Sequence, residues 1–213
     1  MSVITNFKGQ AAQDAFVLWV LKGKRDGYFL EIGSNDPITI NNSYILEKEY
    51  GWKGIMVEYA SNYLQKYLEH RPTAIHIMED ATQVDYNEVL QQLAPPGKVV
   101  DYLQIDLEVS NDSTMGALLQ VEKTMEAGYK YAVVTFEHDI YSNAVYKTHP
   151  RSREVFAKHG YVRVFSDVKN MNNPYEDWYV HPDLVDMSRI EEVRTEESLE
   201  WTDILERLRQ TRS

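Results

Sequence analysis

The sequence alternates at short, regular intervals between apolar runs of strand length and segments with helical periodicity. The strand candidates are residues 28–32, 54–57, 74–78, 102–105, 131–136 and 161–165, and the helix candidates between them are residues 44–50, 60–70, 87–93, 114–127 and 152–159. Such alternation is typical of parallel strands joined by right-handed helical crossovers. It predicts an α/β fold with a doubly wound, mostly parallel sheet.

Both ends of the chain depart from this alternation. Residues 10–22 place small and aromatic apolar side chains at helical spacing, which predicts an amphipathic N-terminal helix. Near the other end, the asparagine-rich stretch 170–174 is followed by the apolar run 177–180, which predicts a hairpin instead of another crossover. We therefore expect one antiparallel strand near the edge of the sheet. We expect a single domain, with an N-terminal helix in 1–26, a core in 27–182 and a helical extension in 183–213.

The tail at residues 191–209 is charged, with a narrow apolar stripe that predicts a helix. The stripe consists of Leu199, Trp201, Ile204, Leu205 and Leu208. Docking on the body of the protein is the simpler interpretation. Docking on a second copy, which would make a homo-oligomer, is the alternative.

The composition excludes several classes of site and partner. The chain has no cysteine, so disulfides, zinc thiolate sites and cysteine nucleophiles are absent. Its net charge of −11 and the lack of a long basic run argue against nucleic acid as a partner. The longest apolar run, residues 15–21, is far shorter than the ~20 residues that span a bilayer. We expect a cytoplasmic protein with no membrane partner.

Acidic side chains follow five of the predicted strands, and most of the negative charge lies between residues 26 and 112. These strand ends are residues 31–36, 58–59, 79–81, 106–108 and 137–139. Ligands of open parallel sheets bind at the carboxyl ends of the strands. Clustered carboxylates repel one another unless a cation or a donor-rich ligand offsets them. The pattern therefore predicts one shared binding site.

Individual positions at these strand ends suit an adenosine group. Glu58, after the second strand, can accept hydrogen bonds from both ribose hydroxyls. Asp80, after the third strand, can accept the exocyclic amine of adenine, while the Ala81 amide can donate to a ring nitrogen. Gly33 lets the backbone approach a ligand closely.

The same strand ends discriminate between cofactors. A dinucleotide site needs three glycines in a G-x-G-x-x-G turn, but only Gly33 is present, and Asp36 stands where phosphates would lie. NAD and FAD are therefore disfavoured. The carboxylates of Glu31, Asp36 and Asp106 suit a sulfonium or ammonium group, which makes S-adenosylmethionine the candidate cofactor.

Three segments carry a resemblance to a known family: residues 27–36 (GYFLEIGSND), 42–48 (NSYILEK) and 51–58 (GWKGIMVE). The chain resembles the FkbM-type methyltransferases, which are class I S-adenosylmethionine-dependent enzymes and often O-methyltransferases. Segments 102–108, 135–139, 151–160 and 176–180 are also similar to that family. The resemblance implies a seven-stranded Rossmann-like sheet with a cofactor at its strand ends. The cofactor-binding residues that we predict are Glu31, Gly33, Ser34, Asn35, Asp36, Glu58, Tyr59, Asp80, Ala81 and Asp106.

Methyl transfer to a hydroxyl requires removal of a proton from the acceptor. His138 is the predicted general base, oriented by Glu137 or Asp139, and the predicted catalytic set is His138, Glu137 and Asp106. A histidine that only caps the strand end is the alternative interpretation. A second alternative is a divalent cation such as Mg²⁺ held by Asp106, Glu137 and Asp139. Acceptor specificity is expected in the following segment, at Tyr141, Tyr146, His149 and Arg151.

These observations predict a methyltransferase that acts on oxygen of a sugar or another small hydroxylated metabolite. Two other functions stay open at this point. One is a metal-dependent hydrolase that uses Asp106, Glu108, Glu137, His138 and Asp139. The other is a catalytically silent module that binds an adenosyl ligand.

Overall fold

The computed structural model describes residues 6–142 and 147–211. It contains a seven-stranded sheet with the strand order β3-β2-β1-β4-β5-β7-β6. The strands are β1 Tyr28–Ile32, β2 Lys53–Val57, β3 Ile75–Ile77, β4 Val99–Ile105, β5 Lys130–Glu137, β6 Val162–Asn170 and β7 Asn173–Val180. All pairs are parallel except those of β7, which runs antiparallel to both β5 and β6. The predicted fold class is confirmed.

Helices cover both faces of the sheet. They are α1 Gln13–Val20, α2 Tyr44–Tyr50, α3 Leu64–His70, α4 Tyr86–Leu93, α5 Ser113–Glu126, α6 Thr148–Lys158, α7 Met187–Val193 and α8 Trp201–Gln210. Residues of α4, α5 and α6 form one apolar core, and residues of the other helices form the core on the opposite face. Successive strand residues point to opposite faces, so Phe29 lies in one core and Leu30 in the other.

The strand order reverses beside β1. The chain passes from β1 outward through β2 to β3, and then returns to place β4 on the other side of β1. This reversal opens a crevice at the carboxyl ends of β1 and β4, which is the usual ligand site of such sheets. The fold therefore brings together the strand ends on which the sequence concentrates its carboxylates.

The predicted terminal hairpin is present. Met171 and Asn172 form its two-residue loop with φ values of 53° and 67°, and such left-handed pairs match the twist of hairpin strands. The hairpin inserts β7 between β5 and β6. As a result, β5 is flanked by a parallel strand on one side and by an antiparallel strand on the other.

The N-terminal helix corrects one expectation. The sequence predicts an amphipathic helix, but every residue of α1 is buried, including Gln13 and Asp14. Asp14 accepts hydrogen bonds from the backbone N–H groups of Lys8 (2.7 Å) and Gly9 (3.3 Å). Burial raises the pKa of Asp14 to about 6. The polar side chains of this helix thus form hydrogen bonds within the protein, and they do not indicate a face exposed to solvent.

The tail contains two helices, α7 and α8, where the sequence predicts one. The apolar residues Ile204, Leu205 and Leu208 of α8 are buried against this chain, and Leu205 packs on Ala12 and Ala15 at the start of α1. The stripe docks on the body of this chain, with Leu199 and Trp201 partly buried. Among the described residues, no helix combines the length and the apolar character needed to span a membrane.

Candidate active site

A cavity of about 360 Å³ lies at the carboxyl ends of β1, β2, β4 and β5. The residues that line it are Gln10, Glu31, Gly33, Ser34, Asn35, Ile40, Asn41, Asn42, Glu58, Gln104, Asp106, Leu107, Glu108, Glu137 and Asp139. Six of these residues are acidic, and none is lysine, arginine or histidine. Most of the predicted site residues meet here. Asp36, Tyr59, Asp80, Ala81 and His138 lie outside the lining.

Gly33 joins three strands at the floor of the crevice. Its φ is 86°, and a Cβ at this position would overlap the backbone carbonyl oxygen of Asp106. Its N–H donates to the carbonyl oxygen of Val57 at 2.9 Å. Only glycine fits this close approach of β1, β2 and β4.

Glu58 is held at the cavity by two backbone amides. One carboxylate oxygen accepts from the N–H of Asn35 at 2.9 Å, and the other accepts from the N–H of Ala60 at 2.8 Å. Each carboxylate oxygen has two lone pairs, so both can accept a further donor. The side chain is fixed in place, and its free lone pairs can still accept hydrogen bonds from the two hydroxyls of a ribose.

Glu31 forms a buried wall of the cavity. Its carboxylate accepts from the side-chain amide of Asn41 at 3.2 Å and from the N–H of Ser43 at 3.1 Å. Burial raises the pKa of Glu31, and the positive charge of Arg71 opposes that rise. The carboxylate therefore has partial compensation from inside the protein.

Arg71 supports the loop at residues 37–43, and its role has no signal in the sequence. It is completely buried, forms an ion pair with Glu47, and donates to Asn41 Oδ1 at 2.8 Å and to Ser43 Oγ at 2.7 Å. A buried arginine whose donors are used in this way fixes the conformation of the surrounding backbone. The loop carries Asn41 and Asn42 into the cavity lining.

Three carboxyl groups converge where β4 and β5 end. Glu137 lies beside both Asp106 and Asp139, and their negative charges act on it. Burial, together with the negative charge of Asp106, raises the pKa of Glu137 far above its usual range. Burial also raises the pKa of Asp139. These are the predicted metal ligands, but they do not form a group whose ligand atoms all lie within 4.8 Å of one another, so the metal prediction gains no support.

Several buried oxygen atoms in the lining lack a hydrogen-bond partner among the described residues. They are Asn42 Oδ1, Gln104 Oε1 and Asp139 Oδ1. The orientation of Gln104 is defined, because its Nε2 donates to Asp106 Oδ2 at 3.3 Å. All three free atoms are acceptors, so the cavity suits a ligand rich in donors. The polar Gln104 inside the apolar strand β4 is the signal that sequence reasoning missed.

Two of the residues predicted to contact the cofactor, Asp36 and Asp80, take part in local turns. Asp36 accepts from the N–H groups of Ile38 (3.0 Å) and Thr39 (2.9 Å), and these bonds, that of Thr39 above all, lower its pKa. Asp80 accepts from the hydroxyl of Thr82 at 2.7 Å and from its N–H at 2.9 Å. Both carboxylates stabilise loops beside the site and are not part of its wall.

The remaining candidates lie around the cavity and not in it. Tyr59 is exposed, whereas Ala81 is buried away from the lining. Of the residues predicted to shape acceptor specificity, Tyr141 is exposed, Arg151 forms a surface ion pair on α6, and Tyr146 lies outside the described residues. Their part in acceptor specificity stays a prediction.

His138 requires a correction, because its side chain is fully buried and does not line the cavity. Its Nε2 lies 3.6 Å from both Asp167 and Asp177, and its ring packs edge-on against His149. Arg153 completes this group with bonds of 2.7 Å to Asp177 and 2.9 Å to Asp167. The predicted general base therefore belongs to a buried ion cluster that ties β5, β6, β7 and α6 together.

Comparison with known proteins adds to this geometry. No protein-family model matches the chain, and no curated protein matches its sequence. Among solved structures, a TehB-like SAM-dependent methyltransferase from Corynebacterium glutamicum is 11% identical over 79% of this chain and 87% of the other, with a TM-score of 0.51. A putative rRNA methylase from Clostridium thermocellum is 13% identical over 79% of this chain and 94% of its own, also with a TM-score of 0.51.

The delta-N form of the METTL16 MTase domain gives similar values. It is 11% identical over 79% of this chain and 80% of its own, with a TM-score of 0.50. Likenesses at this identity establish a fold and not an activity. The narrower resemblance to FkbM-type enzymes stays a prediction. The chain has the seven-stranded fold of class I S-adenosylmethionine-dependent methyltransferases.

Proposed function

We propose that this protein is an S-adenosylmethionine-dependent methyltransferase that acts on an oxygen atom of a sugar or another small hydroxylated metabolite. The observation that carries this proposal is the cavity at the reversal of strand order, where Glu31, Glu58 and Asp106 face one space with no basic side chain in its lining. A phosphate-bearing cofactor would meet only repulsion there. A cationic adenosyl cofactor would meet acceptors suited to its ribose hydroxyls and to its positively charged groups.

The ribose and the ammonium group of the cofactor each have matching groups in the cavity. Glu58 would accept the ribose hydroxyls while its backbone bonds hold it in place. Gly33 would let the ligand approach the backbone closely. Glu31, Asp106 and the free Oε1 of Gln104 would receive the charged amino acid end. The donors of an ammonium group would satisfy acceptors that are buried and unpaired in the protein alone.

The reaction assigns a separate role to the carboxyl group of Asp139. When bound, S-adenosylmethionine supplies a methyl carbon that forms a C–O bond with the acceptor as its bond to sulfur breaks. Asp139 lines the cavity with a free buried oxygen, and burial raises its pKa, so it can receive the hydroxyl proton. Glu137 lies beside Asp139 and would help to position that carboxylate.

Binding of S-adenosylhomocysteine tests the proposal. A ligand that binds only the folded protein stabilises it by about 2.7 kcal/mol at 100 times its dissociation constant. We expect this stabilisation in a thermal-shift titration, followed by transfer of a labelled methyl group to small hydroxylated compounds. Absence of binding refutes the proposal, whereas binding without any transfer supports a silent adenosyl-binding module. A metal-dependent hydrolase is not favoured, because the histidine it would use is outside the cavity.

A further inference from the structure

We infer that Ile40 is a specificity-determining residue that contacts the sulfur-bearing chain of the methyl donor. This inference rests on the proposed function, because it assigns a further residue of the same cavity to the same cofactor. Ile40 lies in the loop between β1 and α2, lines the cavity, and is 57% exposed in the protein alone. A single exposed isoleucine would indicate nothing by itself. Its backbone conformation, its fixed loop and its place in the cavity together point to a ligand.

The backbone of Ile40 has a conformation that isoleucine rarely adopts. Its φ is 49°, in the left-handed region, where a β-branched side chain crowds the neighbouring backbone. Glycine and asparagine occupy such positions in turns at much lower cost. Strain of this kind persists only where the surrounding structure fixes it, and it is concentrated at functional sites. The chain therefore places an apolar side chain at the cavity against the local preference of the backbone.

Hydrogen bonds hold the loop on both sides of Ile40. The carboxylate of Asp36 accepts from two backbone N–H groups in the turn that precedes Ile40. Fully buried Arg71 donates to the carbonyl oxygen of Pro37 at 3.2 Å and to Asn41 Oδ1 at 2.8 Å. These bonds keep the loop from relaxing, so the side chain of Ile40 stays at the edge of the cavity.

The neighbours of Ile40 assign it to the amino acid end of the proposed cofactor. The next residue, Asn41, donates to Glu31 Oε2 at 3.2 Å and to the carbonyl oxygen of Ser34 at 3.1 Å. Glu31 is the carboxylate that we assign to the ammonium group, whereas Glu58, assigned to the ribose, follows β2. We therefore expect Ile40 to contact the part of the cofactor near the ammonium group and not the adenosine.

Apolar side chains are scarce in this cavity. Among the described residues that line it, only Ile40 and Leu107 have one. Leu107 lies against Gly33, where its Cδ2 is 3.0 Å from the position of a Cβ on that glycine, so it belongs to the floor of the crevice. Between its charged end and its ribose, S-adenosylmethionine has a chain of CH₂ groups and a sulfur atom. Burial of such groups against an apolar side chain is favourable, whereas carboxylates and amides give them no hydrogen bond.

Met171 provides the matched control for Ile40. It is also apolar and left-handed, with a φ of 53°, and it is 84% exposed. Its conformation follows from the two-residue hairpin loop between β6 and β7, which requires positive φ values. Met171 does not line the cavity. A substitution there changes an exposed, left-handed apolar residue without touching the proposed contact.

Ile40→Asn separates a ligand contact from a structural role. Asparagine tolerates the left-handed conformation, so the urea midpoint of the unliganded variant should stay equal or rise. The variant loses the apolar contact, so we expect the Kd of S-adenosylhomocysteine, measured by calorimetry, to increase at least about 5-fold. Adenosine lacks the sulfur-bearing chain, and its Kd should change by less than about 2-fold.

Three further variants complete the experiment. Ile40→Val keeps a β-branched apolar side chain and should bind S-adenosylhomocysteine within about 2-fold of the wild type. Met171→Asn should leave both dissociation constants unchanged. Ile40→Gly also removes the strain and the apolar side chain, so it should weaken S-adenosylhomocysteine binding as Ile40→Asn does, and it serves if the asparagine variant does not fold.

The outcomes separate the two proposals. Failure of the wild-type protein to bind S-adenosylhomocysteine refutes the proposed function itself. Normal binding by the wild type, with an unchanged Kd in folded Ile40→Asn, refutes only the inference about Ile40. An equal loss of affinity for adenosine also overturns it, because the contact would then be with the adenosyl group. A lower urea midpoint in both Ile40→Asn and Ile40→Gly overturns it as well, because the side chain would then support the loop.

Discussion

Replacement of Glu58 by alanine tests the placement of the adenosyl group most directly. In the proposed complex, the Glu58 carboxylate accepts hydrogen bonds from the ribose hydroxyls. Hydrogen bonds to a charged group contribute about 1.5–3 kcal/mol each, and water replaces part of that loss. We therefore expect Glu58→Ala to weaken S-adenosylhomocysteine binding by about 2 kcal/mol, which is roughly a 30-fold increase in Kd.

The structure adds a second contribution that the experiment has to separate. The same carboxylate accepts from the N–H groups of Asn35 and Ala60, so its loss also frees two loop amides. Asn35 is exposed, so water can replace the partner of its amide. The effect on folding should therefore be smaller than the effect on binding. Chemical denaturation of the unliganded variant measures the first quantity, and calorimetry measures the second.

Glu79→Ala is the matched control for this experiment. It removes the same charge from an exposed strand end, but Glu79 does not line the cavity. We expect its Kd for S-adenosylhomocysteine to equal that of the wild type. An unchanged Kd in folded Glu58→Ala would refute the ribose assignment. Equal weakening in both variants would show that the total charge, and not a contact, determines affinity.

Three further substitutions test the support of the site. Gly33→Ala should lower the free energy of unfolding by more than the ~1–2 kcal/mol of a left-handed residue, because its Cβ also overlaps backbone; wild-type stability in urea would contradict this. Arg153→Ala should cost about 3–5 kcal/mol of stability by leaving Asp167 and buried Asp177 unpaired, and a loss below about 1 kcal/mol would argue against the ion cluster. Burial raises the pKa of Glu176 to about 8, so the folded state binds the extra proton and stability should fall as pH rises from about 5 to 8, by up to roughly 1.4 kcal/mol per pH unit. Glu176→Gln should flatten that slope in urea unfolding, and an unchanged slope would assign it to another group.

The hydrophobic periodicity of the sequence predicts many of the strands and helices, because neighbouring residues largely determine where these elements form. The strand at Tyr28–Ile32 and the helix at Tyr44–Tyr50 have the bounds that the sequence indicates. Strands β6 and β7 extend further than predicted, because their pairing with each other recruits polar residues around the turn. The N-terminal helix differs from expectation because distant residues cover it. Whether one face of this helix is exposed depends on where α8 docks. The local periodicity of the sequence does not indicate the position of α8.

The candidate site also has one part that the sequence predicts and another part that it does not. The meeting of Glu31, Glu58 and Asp106 follows from topology, because parallel strands present their carboxyl ends at one edge. His138 could have been excluded by strand periodicity, since it follows Glu137 directly and neighbouring strand residues face opposite sides. The turn that uses the carboxylate of Asp36 depends on loop dihedral angles, which the sequence pattern does not determine.

The terminal hairpin has a consequence for how substrate preference can change. The carbonyl oxygen of Tyr175 in β7 accepts from the backbone N–H groups of both His138 and Asp139, at 2.7 and 2.9 Å. The end of the cavity at Glu137 and Asp139 is thus aligned by the hairpin, whereas Gly33 and Glu58 are aligned by the parallel strands β1, β2 and β4. In the proposed function, the cofactor and the acceptor would therefore be recognised by separable parts of one sheet. Descendants of this chain could exchange acceptors by altering the hairpin while they keep the same methyl donor.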